Sequence, residues 1–261
     1  MTNLSSFNLF LALLVALLMP KLSSASNFDF PADPELVVNK STGLSVPKGF
    51  ETDLVYKVDR AKYGSWISMT FDHKGRLVVS DQDNAGTFLI ELPEIGKTLS
   101  ESGITKLPLN SGQWGMLYAF DHLYMVSQKR VVRVPVSESG EYGKEVELFP
   151  LSGGWEHGPH SLIVTEDGTG LYFVAGNYAR NPPFQTSRIP TNWKDDVLLE
   201  NYAYGHNGNG KAPGGWVIRL DPDGSNREMI NMGYRNPCDF ALNRDGEMFV
   251  YDADMEWDMG A

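Results

Sequence analysis

Cysteine is nearly absent: 261 residues carry one, Cys238. A single thiol closes no intrachain disulfide, so stability must come from packing. No CxxCH occurs, which excludes a covalent haem in this chain. Basic clusters are missing too. Twenty-two Lys and Arg stand against thirty-three Asp and Glu, for a net charge of −11. Such a surface repels phosphate backbones, and no nucleic-acid partner is expected. Long apolar runs are limited to LFLALLVALLM, Leu9–Met19. That run is too short to span a bilayer but suits the core of a signal peptide, although no Lys or Arg precedes it. Ser23-Ser24-Ala25 then offers a small-residue cleavage site. We expect residues 1–25 to be a signal peptide and the product to be exported. Amphipathic helical periodicity is not found.

Turns are abundant. The chain has 26 Gly and 15 Pro, and alternating apolar runs flank glycine turns. Residues 26–47 read as a polar, proline-containing lead-in. From residue 48 a unit recurs: Trp66–Gln82 turns at Asp72–Gly75, His160–Asn177 turns at Asp167-Gly168, and Cys238–Asp254 turns at Asp245-Gly246. A degenerate copy, Gly115–Gln128, turns at Asp121-His122. Alternation buries one face of each strand, and Asp-Gly supplies the positive φ of a tight hairpin. Further strands follow at Val131–Val136 and from Trp216. From Asp72 to Asp121 is 49 residues, from Asp121 to Asp167 is 46, and from Asp167 to Asp245 is 78. The first two match a four-stranded blade of about 40–50 residues. The third carries an insertion over Tyr178–Gly214. The expected fold is all-β, a β-propeller of the six-bladed type with seven blades the other option. About three to four blades are accounted for, so 48–261 is read as the N-terminal part of a propeller truncated at its C-terminus.

Three constellations carry chemistry. In Glu156-His157-Gly158-Pro159-His160 two imidazoles stand three apart, just before an inner strand. They suit metal ligation, acid–base work on a bound alcohol, or hydrogen bonding to backbone at a channel rim. Arg235 and Asn236 precede another inner strand; they suit an anionic cofactor, or a stacked arginine beside a turn amide. Asp252 and Asp254, with Glu256 and Asp258, offer oxygens to calcium, or form a solvated acidic loop. Tyr202, Tyr204, His206 and Asn207 lie in a glycine-rich stretch suited to stacking on a sugar, or to a plain surface insertion. Asp81, Gln82, Ser127 and Gln128 end inner-type strands and face the channel without a catalytic role.

Certain blocks resemble a known family. His157, Leu162, Glu166-Asp167-Gly168 and Leu171–Asn177 resemble the His…L…PDG…LY…GD block of soluble quinoprotein glucose/sorbosone dehydrogenases. Gly233-Tyr234-Arg235-Asn236-Pro237, with Phe240, Asp245-Gly246 and Phe249, resembles their G-x-R-N-P…DG block. GSWISMTFDHKGRLVVSDQ, EHGPH, GGWVIRLDPDG and YRNPCDFALNRDGEMFVYDADMEWDMG resemble the N-terminal propeller of exported membrane-bound dehydrogenase-like proteins of planctomycetes and verrucomicrobia. The resemblance implies pyrroloquinoline quinone and calcium as cofactors. It implies a sugar or other alcohol as substrate and a cytochrome c domain or protein as electron acceptor. It also implies a periplasmic or cell-envelope location of bacterial type. By motif, His157 is the base, Arg235 and Asn236 act on the quinone, and Asn177 and His160 join the cofactor site. Asn177 stands where those enzymes have an aspartate that orients the base. Two rivals remain: a non-catalytic propeller that binds glycans or scaffolds a haem domain, and a calcium-dependent lactone or ester hydrolase.

Overall fold

The computed structural model describes residues 34–191 and 214–253. The chain divides into two compact units at Leu54/Val55. In the first, β1 (Leu36–Val38) and β2 (Ser45–Pro47) pair antiparallel, in register Leu36↔Pro47. The Asn39 carboxamide closes the turn by accepting from the backbone N–H of Ser41 and Thr42.

The second unit is built of antiparallel sheets in chain order. The first sheet is β3 (Trp66–Phe71), β4 (Leu77–Asp81), β5 (Thr87–Ile90) and β6 (Ile104–Lys106). The second is β7 (Gly115–Ala119), β8 (His122–Val126), β9 (Arg130–Pro135) and β10 (Val146–Pro150). A two-residue strand β11 (Ser152–Gly153) follows. The third sheet takes β12 (Pro159–Val164), β13 (Leu171–Ala175), β16 (Gly215–Leu220) and β17 (Glu228–Tyr234). Between them, β14 (Ala179–Arg180) pairs with β11, and β15 (Thr186–Ser187) adds a parallel edge to β17. The hairpin β18 (Pro237–Leu242) and β19 (Met248–Asp252) begins a fourth sheet. The first strands β3, β7, β12 and β18 neighbour one another in turn, so the sheets radiate from a shared line. This is a β-propeller sector of three sheets and the start of a fourth.

Alternation explains the packing. Val78, Leu89 and Leu107 of the first sheet meet Met116, Leu123, Met125, Val132 and Val134 of the second. Tyr124, Val126, Val131 and Phe149 meet Leu162, Phe173, Trp216 and Ile218 of the third. Tyr172, Val174 and Val217 meet Phe240 of the last hairpin. Trp216 is fully buried, edge-on to Phe173 at 5.2 Å, and its indole N–H donates to the Ala179 carbonyl at 2.8 Å. Each such apolar side chain contributes about 1.5–3 kcal/mol when taken out of water.

The turns show where local chemistry acts. At Asp72–Gly75, Gly75 takes φ 73° while Asp72 Oδ1 accepts from the N–H groups of Lys74 and Arg76. Gly168 and Gly246 take φ 67° and 79° in the two later copies. The positive φ therefore belongs to the glycine, and the aspartate before it, or the Asn243 carboxamide, caps the loop. The degenerate copy differs by one residue. Phe120 and Asp121 take φ 51° and 55°, and His122 already belongs to β8. A two-residue turn with both φ values positive suits the twist of the strands, and here the register Ala119↔His122 demands it without any glycine.

Among the described residues there is one short α-helix, α1 (Arg60–Tyr63), capped by the Asp59 carboxylate at Ala61 N–H, and one 3₁₀ turn at Glu101–Gly103. Residues 55–66 pack Val55, Tyr56, Val58, Tyr63 and Trp66 on the face of the first sheet formed by Val79, Phe88 and Ile90. Met69 and Phe71 of β3, and Phe249 and Tyr251 of β19, stay exposed on the two outward faces. Among the described residues no helix is long and apolar enough to cross a membrane. The expected signal segment lies outside the described residues.

Candidate functional site

Three loops meet at one end of the first strands. The first is Gly153–Gly158, ahead of β12. Gly153 and Gly154 take φ 73° and 91°, and a Cβ on Gly153 would lie 2.1 Å from the Tyr178 carbonyl. Only glycine allows that approach. The second loop, Gly176–Tyr178, follows β13. The third, Arg235-Asn236, leads into β18.

Backbone hydrogen bonds tie them together. Gly176 N–H donates to Gly158 at 2.8 Å, Tyr178 N–H to His157 at 3.1 Å, and Asn177 N–H to Arg235 at 2.8 Å. A Cβ on Gly176 would fall 2.6 Å from the His157 carbonyl and 2.9 Å from Asn236 Oδ1. His157, Gly176 and Asn236 are thus packed to contact.

Register adds a further device. Between Pro159 and Leu162 the β12–β13 ladder shifts by one residue, and between Pro237 and Asp239 the β18–β19 ladder does the same. Such bulges bend a strand and re-aim its side chains. They sit at His160 and beside Asn236. His160 is therefore inside β12 rather than ahead of it.

The side chains form two imidazole–amide pairs. His157 Nδ1 lies 2.9 Å from Asn177 Oδ1, and its ring stacks on Tyr178 with centroids 4.4 Å apart. His160 Nε2 lies 2.7 Å from Asn236 Oδ1, and the ring of Trp114 meets His160 edge-on at 6.0 Å. A carboxamide oxygen only accepts, so each facing ring nitrogen donates. His157 therefore carries a proton on Nδ1, and His160 carries one on Nε2. Burial pushes the His160 pKa below its ordinary value; the Asn236 bond opposes this and the neighbouring His157 adds to it. His160 is neutral at neutral pH. Both imidazoles are buried, His157 at 2% exposure, and each meets a side-chain carboxamide rather than the backbone partner of the channel-rim alternative.

Asp252 holds the third loop. Its Oδ2 accepts from Arg235 N–H at 2.9 Å and its Oδ1 from Asn236 N–H at 2.7 Å. The sequence offers Asp252 to a metal; the structure gives both its oxygens backbone donors. No group of three metal-ligating side chains occurs among the described residues. Asp254 lies outside them, as do Tyr202, Tyr204, His206 and Asn207.

A cavity of about 380 Å³ opens at the same end, lined by Gln82, Asp83, Trp114, Gln128, Trp155 and Glu156. Gln82 and Gln128 follow second strands, β4 and β8, not first strands. Asp81 is buried and accepts from the N–H groups of Ser65, Asp83 and Ala85. Burial pushes its carboxyl up, but those donors outweigh it and the net displacement is downward. Sequence reasoning missed both tryptophans and Tyr178. A tryptophan between a Gly-Gly bend and Glu-His was the available signal for Trp155.

No family model matches this sequence, and no curated protein matches it. Solved structures do. An iodide structure of a carbohydrate-active enzyme family AA12 protein from Trichoderma reesei aligns at TM-score 0.53 and 13% identity, over 83% of this chain and 49% of that one. The holo pyranose dehydrogenase PQQ domain from Coprinopsis cinerea aligns at 0.47 and 12%, over 71% and 42%. The PQQ-bound aldose sugar dehydrogenase from Streptomyces coelicolor aligns at 0.43 and 20%, over 71% and 58%. The chain spans about half the length of these proteins. At such identity the likeness to the Trichoderma reesei protein is one of fold alone.

Proposed function

We propose that this chain carries part of a quinoprotein-like dehydrogenase site that oxidises a sugar or other alcohol. The observation that supports it best is the His157–Asn177 pair beside Arg235 and Asn236. With Nδ1–H committed to Asn177, the His157 lone pair on Nε2 accepts the substrate hydroxyl proton. Burial keeps bulk water from the ring. Asn177 fixes tautomer and orientation but brings no charge to the imidazolium, so its help is weaker than a carboxylate's.

Pyrroloquinoline quinone, when bound, supplies the acceptor for the hydride that leaves the alcohol carbon. Arg235 and Asn236 would hold one edge of such a group. A guanidinium and a carboxamide on successive residues, Arg235 and Asn236, suit quinone and carboxylate oxygens. Asp252 fixes their backbone through two N–H bonds. Asp252 accepts one backbone N–H on each oxygen, and no calcium ligand set is assigned among the described residues. The apolar run Leu9–Met19 supports export, and the sequence resemblance supports a bacterial periplasm or cell envelope as its destination. The sequence resemblance supports a cytochrome as electron acceptor.

The test is reconstitution. The protein is loaded with pyrroloquinoline quinone and calcium, and dye reduction is followed with a panel of sugars and alcohols. Turnover that falls at least about 100-fold in His157→Ala supports the reading. No quinone binding, or full turnover in that variant, removes it. The carboxamide at 177 also favours a second reading, a propeller that binds glycans without turning them over. Sugar binding with no dye reduction would select it.

A further inference from the structure

Four tryptophans fall among the described residues, and their surroundings differ. Trp216 is core, and Trp66 packs against Tyr63 and Phe88. Trp114 is half-buried. Trp155 alone is exposed, at 68%. An indole left in water forfeits its burial energy, yet the fold holds this one in place. Two positive-φ glycines precede it, and the β11–β14 pairing clamps the loop behind it.

The opposite parts of the cavity are equally fixed. Trp114 N–H donates to Val126 at 2.7 Å, and its ring rests on His160. Ser111 Oγ donates to the Asp83 carbonyl at 2.7 Å, and Gly112 N–H to that of Asp81 at 2.9 Å. These bonds hold the loop that carries Gln82 and Asp83 against the loop that carries Trp114.

The lining is selective in its chemistry. Two indoles offer flat apolar faces. Gln82 and Gln128 each offer both donor and acceptor, while Asp83 and Glu156 accept only. A ligand that suits all six presents an apolar C–H face and a rim of hydroxyl groups. The two carboxylates repel anions. The volume, about 380 Å³, is that of a small-ligand site.

We propose that this cavity binds a neutral pyranose ring against Trp155 and Trp114, and that it selects sugars over simple alcohols and over sugar acids. The proposal rests on the substrate class given above, but it concerns binding and needs no quinone. A straight-chain alcohol has no face to stack, and a uronate or aldonate meets Asp83 and Glu156.

The experiment uses the whole chain without quinone. Tryptophan fluorescence is titrated with a panel of neutral methyl pyranosides, with glucuronate and with glycerol. Saturable quenching by a neutral pyranoside is expected, with glucuronate and glycerol at least about tenfold weaker. Trp155→Ala should weaken pyranoside binding by about five- to tenfold, and Trp155→Phe should restore most of it. Trp155 is exposed, so both variants should keep the wild-type circular dichroism and melting temperature. Three results overturn the proposal: no pyranoside binds, glucuronate binds as well, or affinity is unchanged in Trp155→Ala. Quinone-dependent turnover without pyranoside binding would also overturn it while leaving the dehydrogenase reading intact. Binding without turnover would do the reverse.

Discussion

Lowering the pH should loosen this propeller through one residue, His160. Its folded pKa lies below the ordinary histidine value because the ring is buried. The unfolded ring titrates near 6.5. Above that pH neither state binds the proton, and the stability contributed by the neutral ring is complete. As pH falls through 6.5 the unfolded chain is protonated first, so stability drops. While the native ring stays neutral the slope approaches about 1.4 kcal/mol per pH unit. From pH 7.5 to 5.5 the loss attributable to His160 is therefore at most about 1.4 kcal/mol, the limit in which the native ring stays neutral throughout. For a unit of this size that is a fall of about 3–5 °C in Tm. The control is His160→Gln, whose amide still donates to Asn236 and does not titrate. Urea or thermal unfolding of both proteins at half-unit steps between pH 7.5 and 5.5 gives the difference. Wild type should lose stability relative to the variant as pH falls. Parallel curves, or a wild type that gains on the variant, would refute the burial of a neutral His160.

Other substitutions probe separate parts of the account. Gly115→Ala should cost about 1–3 kcal/mol in urea unfolding, because its Cβ would fall 1.7 Å from the His160 carbonyl where β7 meets β12. Asp72→Ala should cost about 3–5 kcal/mol, because it strips Arg76, 15% exposed, of its carboxylate at 2.7 Å and Tyr142 of its acceptor. Asn177→Leu should cut reconstituted turnover about 100-fold at unchanged fold, since the His157 tautomer is no longer specified. Asp252→Ala should weaken quinone binding, and lower Tm, by releasing the Arg235 and Asn236 N–H groups. An unchanged quinone affinity in that variant would disconnect Asp252 from the site.

Much of the propeller was legible in the sequence because its hairpins are locally determined. Asp72, Asp167 and Asn243 cap loops whose glycines take the left-handed conformation, and that chemistry is written in neighbouring residues. The turn at Phe120-Asp121 was misplaced by one residue because no glycine marks it; the pairing of β7 with β8 imposes it. The bulges at His160 and beside Asn236 were invisible for a similar reason, since register is a property of two strands. So were the small pairings β11–β14 and β15–β17. His157, Asn177, His160, Arg235 and Asn236 were named from sequence, and the structure brings them together. The burial of the two imidazoles was not foreseen, because Tyr178 and Trp114, which meet the rings, arrive from other loops. The cavity itself needs residues from four loops, and no local pattern announces it.

The dehydrogenase reading depends on two buried imidazoles whose protons are assigned by two carboxamides. Long-range ¹H–¹⁵N NMR of the imidazole rings at pH 7 reads those protons directly. His157 should appear as the Nδ1–H tautomer and His160 as the Nε2–H tautomer, with the His157 signal shifting in Asn177→Leu and the His160 signal in Asn236→Leu. Two rings of the same tautomer, or rings averaging between tautomers in exchange with solvent, would contradict the account.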